Sequence, residues 1–305
     1  MYDLIIIGGG PGGVAAGVYS ARKKIKTLLI TESFGGQSLV SAEIKNWIGT
    51  KAVSGFDLGK MLEEHLRDQE DIEIITDDIV IGVKKFEKGF RVGTKEGKSF
   101  ETRYVLIASG SRHRKLGVPG EKELDGRGVV YCSTCDAPIF KDKVVAVVGG
   151  GNAGLEAVHD LFPYASKIYL IIRSDSMKGD PITQEKIKAN PKVEIIYKAL
   201  VQEITGDKFV TGLIYADSKT GDKKELKLDG VFIEIGAVPN SDIVKGLVEL
   251  DQFGQVIVNH KTQETSVPGI WAVGDVTDVL YKQNNISAGD AVKAVLNIYE
   301  RVMKH

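Results

Sequence analysis

The 305-residue chain predicts an α/β protein of two Rossmann-like dinucleotide-binding domains, the second inserted into the first. Three observations carry this expectation. Two glycine-rich turns each stand between an apolar strand pattern and a helix pattern, a sign of the βαβ nucleotide-binding unit. Connectors bearing Gly and Pro lie near residues 111–119 and 237–240, so the chain can leave one domain and return to it. The only two cysteines lie directly ahead of the second glycine turn.

The elements follow in order. Residues 4–7 form an apolar strand, Gly8, Gly10 and Gly13 fill the G-x-G-x-x-G positions, residues 14–23 continue as a helix, and residues 27–31 form the next strand. In such a turn the first glycine permits a tight bend, the second lets a pyrophosphate approach the backbone, and the third lets the helix pack on the strand. The phosphate then meets unpaired N–H groups and the positive end of the helix macrodipole. Residues 55–69 place Phe56, Met61, Leu62 and Leu66 near helical spacing, and residues 72–75 and 104–108 read as strands. The turn recurs after residues 143–148, with Gly149, Gly151, Asn152 and Gly154, then a helix at 155–162 and a strand at 168–172. Residues 200–228, broken at Thr220-Gly221-Asp222, predict a β-meander or hairpin. Residues 288–303 read as a helix with Ala291, Val292, Val295, Leu296 and Ile298 facing inward. The expected domains are residues 1–114 with 242–305, and residues 115–241.

Composition narrows the function. With 40 basic and 41 acidic residues the formal net charge is -1, which offers no field to attract nucleic acid or an anionic membrane surface. The N-terminus opens on a strand, without the basic start and cleavage site of a secretion signal, and no apolar run reaches membrane-spanning length. A cytoplasmic protein is expected. His65, His113, His159, His260 and His305 are scattered without Ser, Asp or metal partners at meaningful spacing, and read as surface or packing residues.

Cys132 and Cys135, followed by Asp136, carry the chemistry. A disulfide across so short a loop constrains little chain entropy and adds little stability, so a structural role is a poor explanation. A tetrahedral zinc site needs four ligands, and none cluster nearby; no metal is expected. The pair reads as a redox couple, in which one thiolate attacks a disulfide and the other resolves the mixed intermediate, with inert thiols as the alternative. Two dinucleotide sites and a dithiol together form an electron relay.

With these motifs assembled, the chain resembles the low-molecular-weight thioredoxin reductases and the reductase portion of alkyl hydroperoxide reductase flavoprotein subunits. Further residues in the resemblance are Gly35-Gly36-Gln37, Asn46-Trp47, Ala108-Ser109-Gly110, Ile235-Gly236 with Pro239-Asn240, and Ala272-Val273-Gly274-Asp275-Val276. It covers essentially the whole chain, and without an extension ahead of Met1 the stand-alone reductase is expected. The resemblance implies FAD on the first fold, with Gly8, Gly10 and Gly13 at the pyrophosphate and Gly35, Gly36, Gln37, Asn46 and Gly110 lining the cofactor. It implies that Asp275, after Gly274, holds the ribityl chain and that Lys282 and Gln283 flank the isoalloxazine. Glu32 reads equally as a ribose ligand or as a surface acid. NADPH or NADH would bind Gly149, Gly151, Asn152 and Gly154. By the same resemblance Cys135 lies against the flavin, Cys132 attacks the partner's disulfide, and Asp136 protonates a leaving thiolate, a helix cap or surface acid being its bland alternative. Because the dithiol and the nicotinamide turn share one domain, that domain is expected to rotate as a rigid body. A homodimer is implied, and thioredoxin, a glutaredoxin-like protein or a peroxiredoxin-linked carrier as partner.

One stretch departs from the pattern. Where NADPH-specific members carry three arginines, this chain offers Arg173 and Lys178 with Asp175 between them. Lys gives phosphate a point charge where Arg gives a bidentate fork, so NADPH and NADH both stay open. Three rivals stay open too: a reductase fed by ferredoxin or another non-pyridine donor, an NAD(P)H oxidase, and a redox-sensing flavoprotein.

Overall fold

The computed structural model describes residues 1–41 and 44–304, so the expectation for His305 lies outside the described residues. The chain divides into two compact units, residues 1–39, 46–112 and 238–305, and residues 40–45 and 113–237. These crossings fall slightly ahead of the 114 and 241 boundaries expected from sequence. They run as the short strands Ser111–His113 and Ala237–Pro239, which pair as a two-stranded ribbon.

In the first unit, Ile72–Ile75, Thr27–Phe34, Tyr2–Gly9 and Ser99–Ile107 form a parallel sheet in that order. Ser99–Ile107 then divides its pairing. Its first half meets Gly89–Thr94 antiparallel, and its last residues meet Ile270–Ala272 in parallel. Val80–Phe86 completes a hairpin with Gly89–Thr94 that lies outside the expected elements. The parallel strands bury both faces and so read as unbroken apolar runs: Ile5, Leu28, Val105, Ile107 and Ile270 are fully enclosed. The first helix is Pro11–Arg22, beginning earlier than expected because Pro at its first position is already set to helical φ.

The last helix, Asn284–Val302, likewise starts before residue 288, in a polar turn that gives no apolar periodicity. Its inward stripe is Ala291, Ala294, Val295 and Ile298. Leu296, expected inward, is exposed, because it lies off the stripe that 3.6-residue periodicity draws through the other four.

The second unit is a parallel sheet in the order Val193–Ile196, Lys167–Ile171, Val144–Val148, Gly230–Ile233 and Val129–Val130. Successive side chains alternate between its faces. Val145, Val147, Leu170 and Phe232 enter one core, while Ala146, Val148, Ile171, Val231 and Ile233 enter the other. The expected meander is the antiparallel set Ala199–Gly206, Val210–Asp217 and Lys223–Lys227. A further helix beyond those expected, Pro181–Ala189, is capped by the Asp180 side chain accepting from Thr183 N. Among the described residues no helix is long and apolar enough to cross a membrane.

Candidate active site

Both glycine turns are built alike. Gly8 has φ +115° and Gly149 φ +144°, a region that L side chains avoid, and a Cβ would strike the Ala108 carbonyl at the first and the Glu234 carbonyl at the second. The third glycines, Gly13 and Gly154, pack their helices so closely that a Cβ would strike the carbonyl oxygen of Gly8 or of Gly149. The middle glycines differ in kind. Gly10 and Gly151 are the N-caps of Pro11–Arg22 and Asn152–Leu161, with φ -73° and -92°, values open to any residue. A Cβ on Gly10 would meet only the Gly36 Cα at 3.9 Å, and one on Gly151 would meet nothing within 4 Å. Neither strain nor packing inside the protein requires glycine there. What the small residue keeps open is the approach to a helix N-terminus, where an anion is favoured.

Around the first turn the cofactor candidates gather. Gly35 N donates to the Gly9 carbonyl at 3.0 Å, and Gly36 lies over Gly10. Gln37 Nε2 donates to Ser111 Oγ at 3.0 Å and to Asp275 Oδ2 at 3.3 Å. Gln37 Oε1 is buried and has no hydrogen-bond partner in the protein. An orphaned acceptor of this kind costs about 1–3 kcal/mol, so the site fits a ligand that brings a donor. Burial raises the Asp275 carboxyl above the ordinary carboxylate range, opposed by nearby Lys282. Burial also lowers the Lys282 ammonium, which donates to the Thr277 carbonyl. Asn46 Nδ2 donates to Gln283 Oε1 at 3.2 Å. Gly274 packs on Ser287, and Gly110 faces open space. These residues fit a flavin dinucleotide. Glu32 is exposed within Thr27–Phe34 and is not drawn into the group.

In the second unit Cys132 and Cys135 form a disulfide with a Cα separation of 5.4 Å. Cys132 is the N-cap of the short helix Ser133–Asp136, and both cysteines are partly buried. Asp136 is 5% exposed and its side chain makes no capping hydrogen bond, so it is neither a surface acid nor a side-chain cap. Desolvation pushes its carboxyl up to about 7. The acid is protonated below that pH and ionised above it. In an unfolded chain the group would ionise near 3.8, so stability is expected to fall as pH rises from about 4 toward 7, the window in which the fold alone holds the proton. Thermal unfolding across that range checks this: Asp136→Asn should flatten the dependence.

Sequence reasoning missed two acids beside the dithiol. Asp160 Oδ2 accepts from Ser133 Oγ at 2.9 Å and from Thr134 Oγ1 at 3.4 Å. Glu234, directly after Gly230–Ile233, is the second: burial raises its carboxyl to about 8, opposed by the Ser133 amide. No motif names either residue; the available signal was an acid ending a strand of four buried residues.

The departing loop folds back on the second glycine turn, with Lys178 N donating to the Gly150 carbonyl at 2.7 Å. Asn152 Oδ1 accepts from Asp180 N at 2.8 Å, so its side chain braces this loop. The side chains of Arg173 and Lys178 are exposed. Among the described residues no group of three or more His, Cys, Asp or Glu side chains is arranged to hold a metal ion.

Comparison with known proteins agrees with this geometry. The family model described as pyridine nucleotide-disulphide oxidoreductase matches residues 2–294. An NADH dehydrogenase of Bacillus subtilis is 39% identical across all of this chain and 59% of its own length. The F subunit of an alkyl hydroperoxide reductase in Pseudomonas putida is 42% identical across 99% of this chain and 58% of its own. The chain thus spans less than two thirds of these curated relatives. A thioredoxin reductase structure from Streptococcus pyogenes superposes with a TM-score of 0.93 at 34% identity, covering 100% of this chain and 99% of that one. One from Giardia duodenalis gives 0.91 at 30%, with the same coverage.

Proposed function

The chain belongs to the pyridine nucleotide-disulphide oxidoreductase family, and from that premise we propose that it is an FAD-dependent disulfide reductase drawing electrons from NADPH or NADH and passing them through Cys132 and Cys135 to a thioredoxin- or glutaredoxin-like protein. The observation that carries the reading is the Cys132–Cys135 disulfide beside a buried acid that titrates near neutral pH, in the same unit as a nucleotide turn. FAD, when bound, supplies the two-electron step between nicotinamide and disulfide.

The rest is chemistry of the chain. The Cys132 thiolate attacks one sulfur of the partner's disulfide, forming a mixed disulfide and releasing a partner thiolate, which takes the Asp136 proton. The Cys135 thiolate then attacks the Cys132 sulfur, restores the intramolecular disulfide and releases the second partner thiolate. The two electrons end on the partner as one thiol and one thiolate, the latter taking its proton from solvent. Asp136 suits the first proton transfer because its pKa stands near the working pH, where a general acid is most effective. Asp136→Asn should lower turnover by about a hundredfold or more with flavin content unchanged, and in the parent protein the acid-dependent rate should fall as pH rises through about 7. A steady-state pH profile measures both.

The thioredoxin reductase likenesses support the partner class, while the identity with alkyl hydroperoxide reductases favours a second acceptor, a disulfide carrier that serves a peroxidase. A cytoplasmic homodimer is part of the proposal, on family resemblance. The test is an anaerobic titration of the flavin-loaded protein with NADPH and with NADH. Bleaching of the flavin by one of them is expected; bleaching by neither would transfer the proposal to a ferredoxin-type donor.

A further inference from the structure

We infer that Asp160 is a positioning residue for the dithiol, tying the two residues between the cysteines to the helix of the second nucleotide turn, so that Cys132 and Cys135 stay placed to close once reduced. The inference rests on the reading of this cysteine pair as the exit of the relay.

The tie is a pair of hydrogen bonds onto one oxygen. Asp160 Oδ2 accepts from Ser133 Oγ at 2.9 Å and from Thr134 Oγ1 at 3.4 Å, and these are the residues that separate Cys132 from Cys135. Ser133 is 8% exposed, so its hydroxyl needs a partner inside the fold, and Asp160 supplies it. Asp160 is the penultimate residue of Asn152–Leu161. The negative end of the helix macrodipole opposes a carboxylate there, so helix stability gives no reason for an acid at this position. The dithiol segment meets the same helix again just beyond the cysteines, where Ala137 and Phe140 share a core with Ala157, Val158 and Leu161. One helix of ten residues, about 15 Å long, therefore carries the second glycine turn at its start and the dithiol at its last turn.

Reduction is the state in which the tie acts. In the oxidised protein the Cys132–Cys135 bond itself closes the turn. Once that bond is broken, the helix Ser133–Asp136 is too short to hold by its own backbone, which contributes the Asp136 N–H donating to the Cys132 carbonyl at 3.0 Å. A hydrogen bond kept in both states adds nothing to the difference between them. What differs is order: the tie restricts the dithiol to the geometry in which one sulfur meets the other, and so raises the effective concentration of Cys135 at the Cys132 sulfur. The disulfide is favoured and the dithiol is a stronger reductant. Resolution gains as well, because in that step the Cys135 thiolate displaces the partner thiolate from the Cys132 sulfur.

Three variants separate the tie from the charge. Asp160→Ala removes the acceptor, Ser133→Ala removes the nearer donor and leaves the charge of Asp160 in place, and Asp160→Asn keeps a carbonyl acceptor without the charge. Each holoenzyme is equilibrated anaerobically at pH 7 with mixtures of reduced and oxidised dithiothreitol, quenched with iodoacetamide and scored by mass spectrometry for labelled Cys132 and Cys135. Asp160→Ala and Ser133→Ala should each need roughly five- to tenfold more oxidised over reduced dithiothreitol to reach half oxidation, the order of about one residue, with tenfold equal to about 30 mV. Their double variant should add little to either, as expected for partners in one contact. Asp160→Asn should stay within about twofold of the parent, since the acceptor is kept. Asp160 is half-buried, and unchanged flavin content and thermal unfolding check that each variant is folded. Midpoints of Asp160→Ala and Ser133→Ala that coincide with the parent's overturn the inference, and an Asp160→Asn midpoint shifted as far as that of Asp160→Ala replaces the tie with a charge effect. Dithiothreitol sets this equilibrium without nicotinamide, so failure of the relay shows instead as a parent protein whose disulfide NADPH and NADH leave oxidised.

Discussion

Cys135→Ser is expected to end disulfide reduction, lowering turnover by at least about a thousandfold while FAD content and bleaching by the nicotinamide stay unchanged. The reason lies in the division of labour. Reduction of the partner needs one sulfur to attack and a second to resolve, and the chain holds no other cysteine that could substitute. With Cys132 left alone, attack on a partner disulfide can proceed but the mixed disulfide cannot be resolved, so a cross-linked adduct should accumulate on non-reducing gels. Cys132→Ser should be equally inactive and give no adduct. An adduct from Cys132→Ser in place of Cys135→Ser would exchange the two roles without disturbing the relay.

The second large effect concerns the middle glycines. Gly151→Ala should leave thermal stability unchanged, because its backbone lies at φ -92° and the added methyl meets nothing within 4 Å. That methyl instead enters the space toward the helix N-terminus, where the pyrophosphate must approach. An overpacking cost of about 1–3 kcal/mol corresponds to nicotinamide affinity weaker by roughly fivefold to 150-fold. Gly154→Ala forms the contrast: its methyl collides with the Gly149 carbonyl and should destabilise the unit itself. Gly10→Ala transfers the argument to FAD and should yield folded protein with reduced flavin content. Calorimetry with isothermal titration of each nucleotide separates loss of fold from loss of binding.

What the sequence disclosed followed physical type. Two parallel sheets were legible because strands such as residues 4–7 and 143–148 are buried on both faces and cannot hide among polar residues. Glycines announced the nucleotide turns because steric demands at Gly8, Gly13, Gly149 and Gly154 admit little else. The hairpin Val80–Phe86 with Gly89–Thr94 was illegible for the opposite reason: it carries Lys84, Lys85, Glu87 and Lys88, and its half-exposed strands dilute the apolar signal. Leu296 shows how an apolar residue name can suggest an inward position that strict 3.6-residue periodicity denies, since it faces solvent off the buried stripe. Within the candidate site, Cys132, Cys135 and Asp136 were legible from spacing and family likeness, whereas Glu234 and Asp160 were not. Asp160 reaches the dithiol helix only through the fold, from the second turn's helix, and Glu234 stands at a strand end; no local pattern records either placement. The orphaned Gln37 Oε1 is likewise a property of packing that the residue name alone does not convey.

The relay itself is tested most directly by counting thiols. Flavin-loaded protein is mixed anaerobically with two equivalents of NADPH or NADH, the four electrons that flavin and disulfide together take up, quenched with iodoacetamide and analysed by mass spectrometry. The relay predicts that at least one nucleotide bleaches the flavin and produces carboxamidomethyl groups on both Cys132 and Cys135, with Cys135→Ser giving the bleaching without the paired labels. Bleaching of the parent protein with Cys132 and Cys135 still joined would contradict it, leaving the flavin to discharge to oxygen or to signal, and the disulfide outside the electron path.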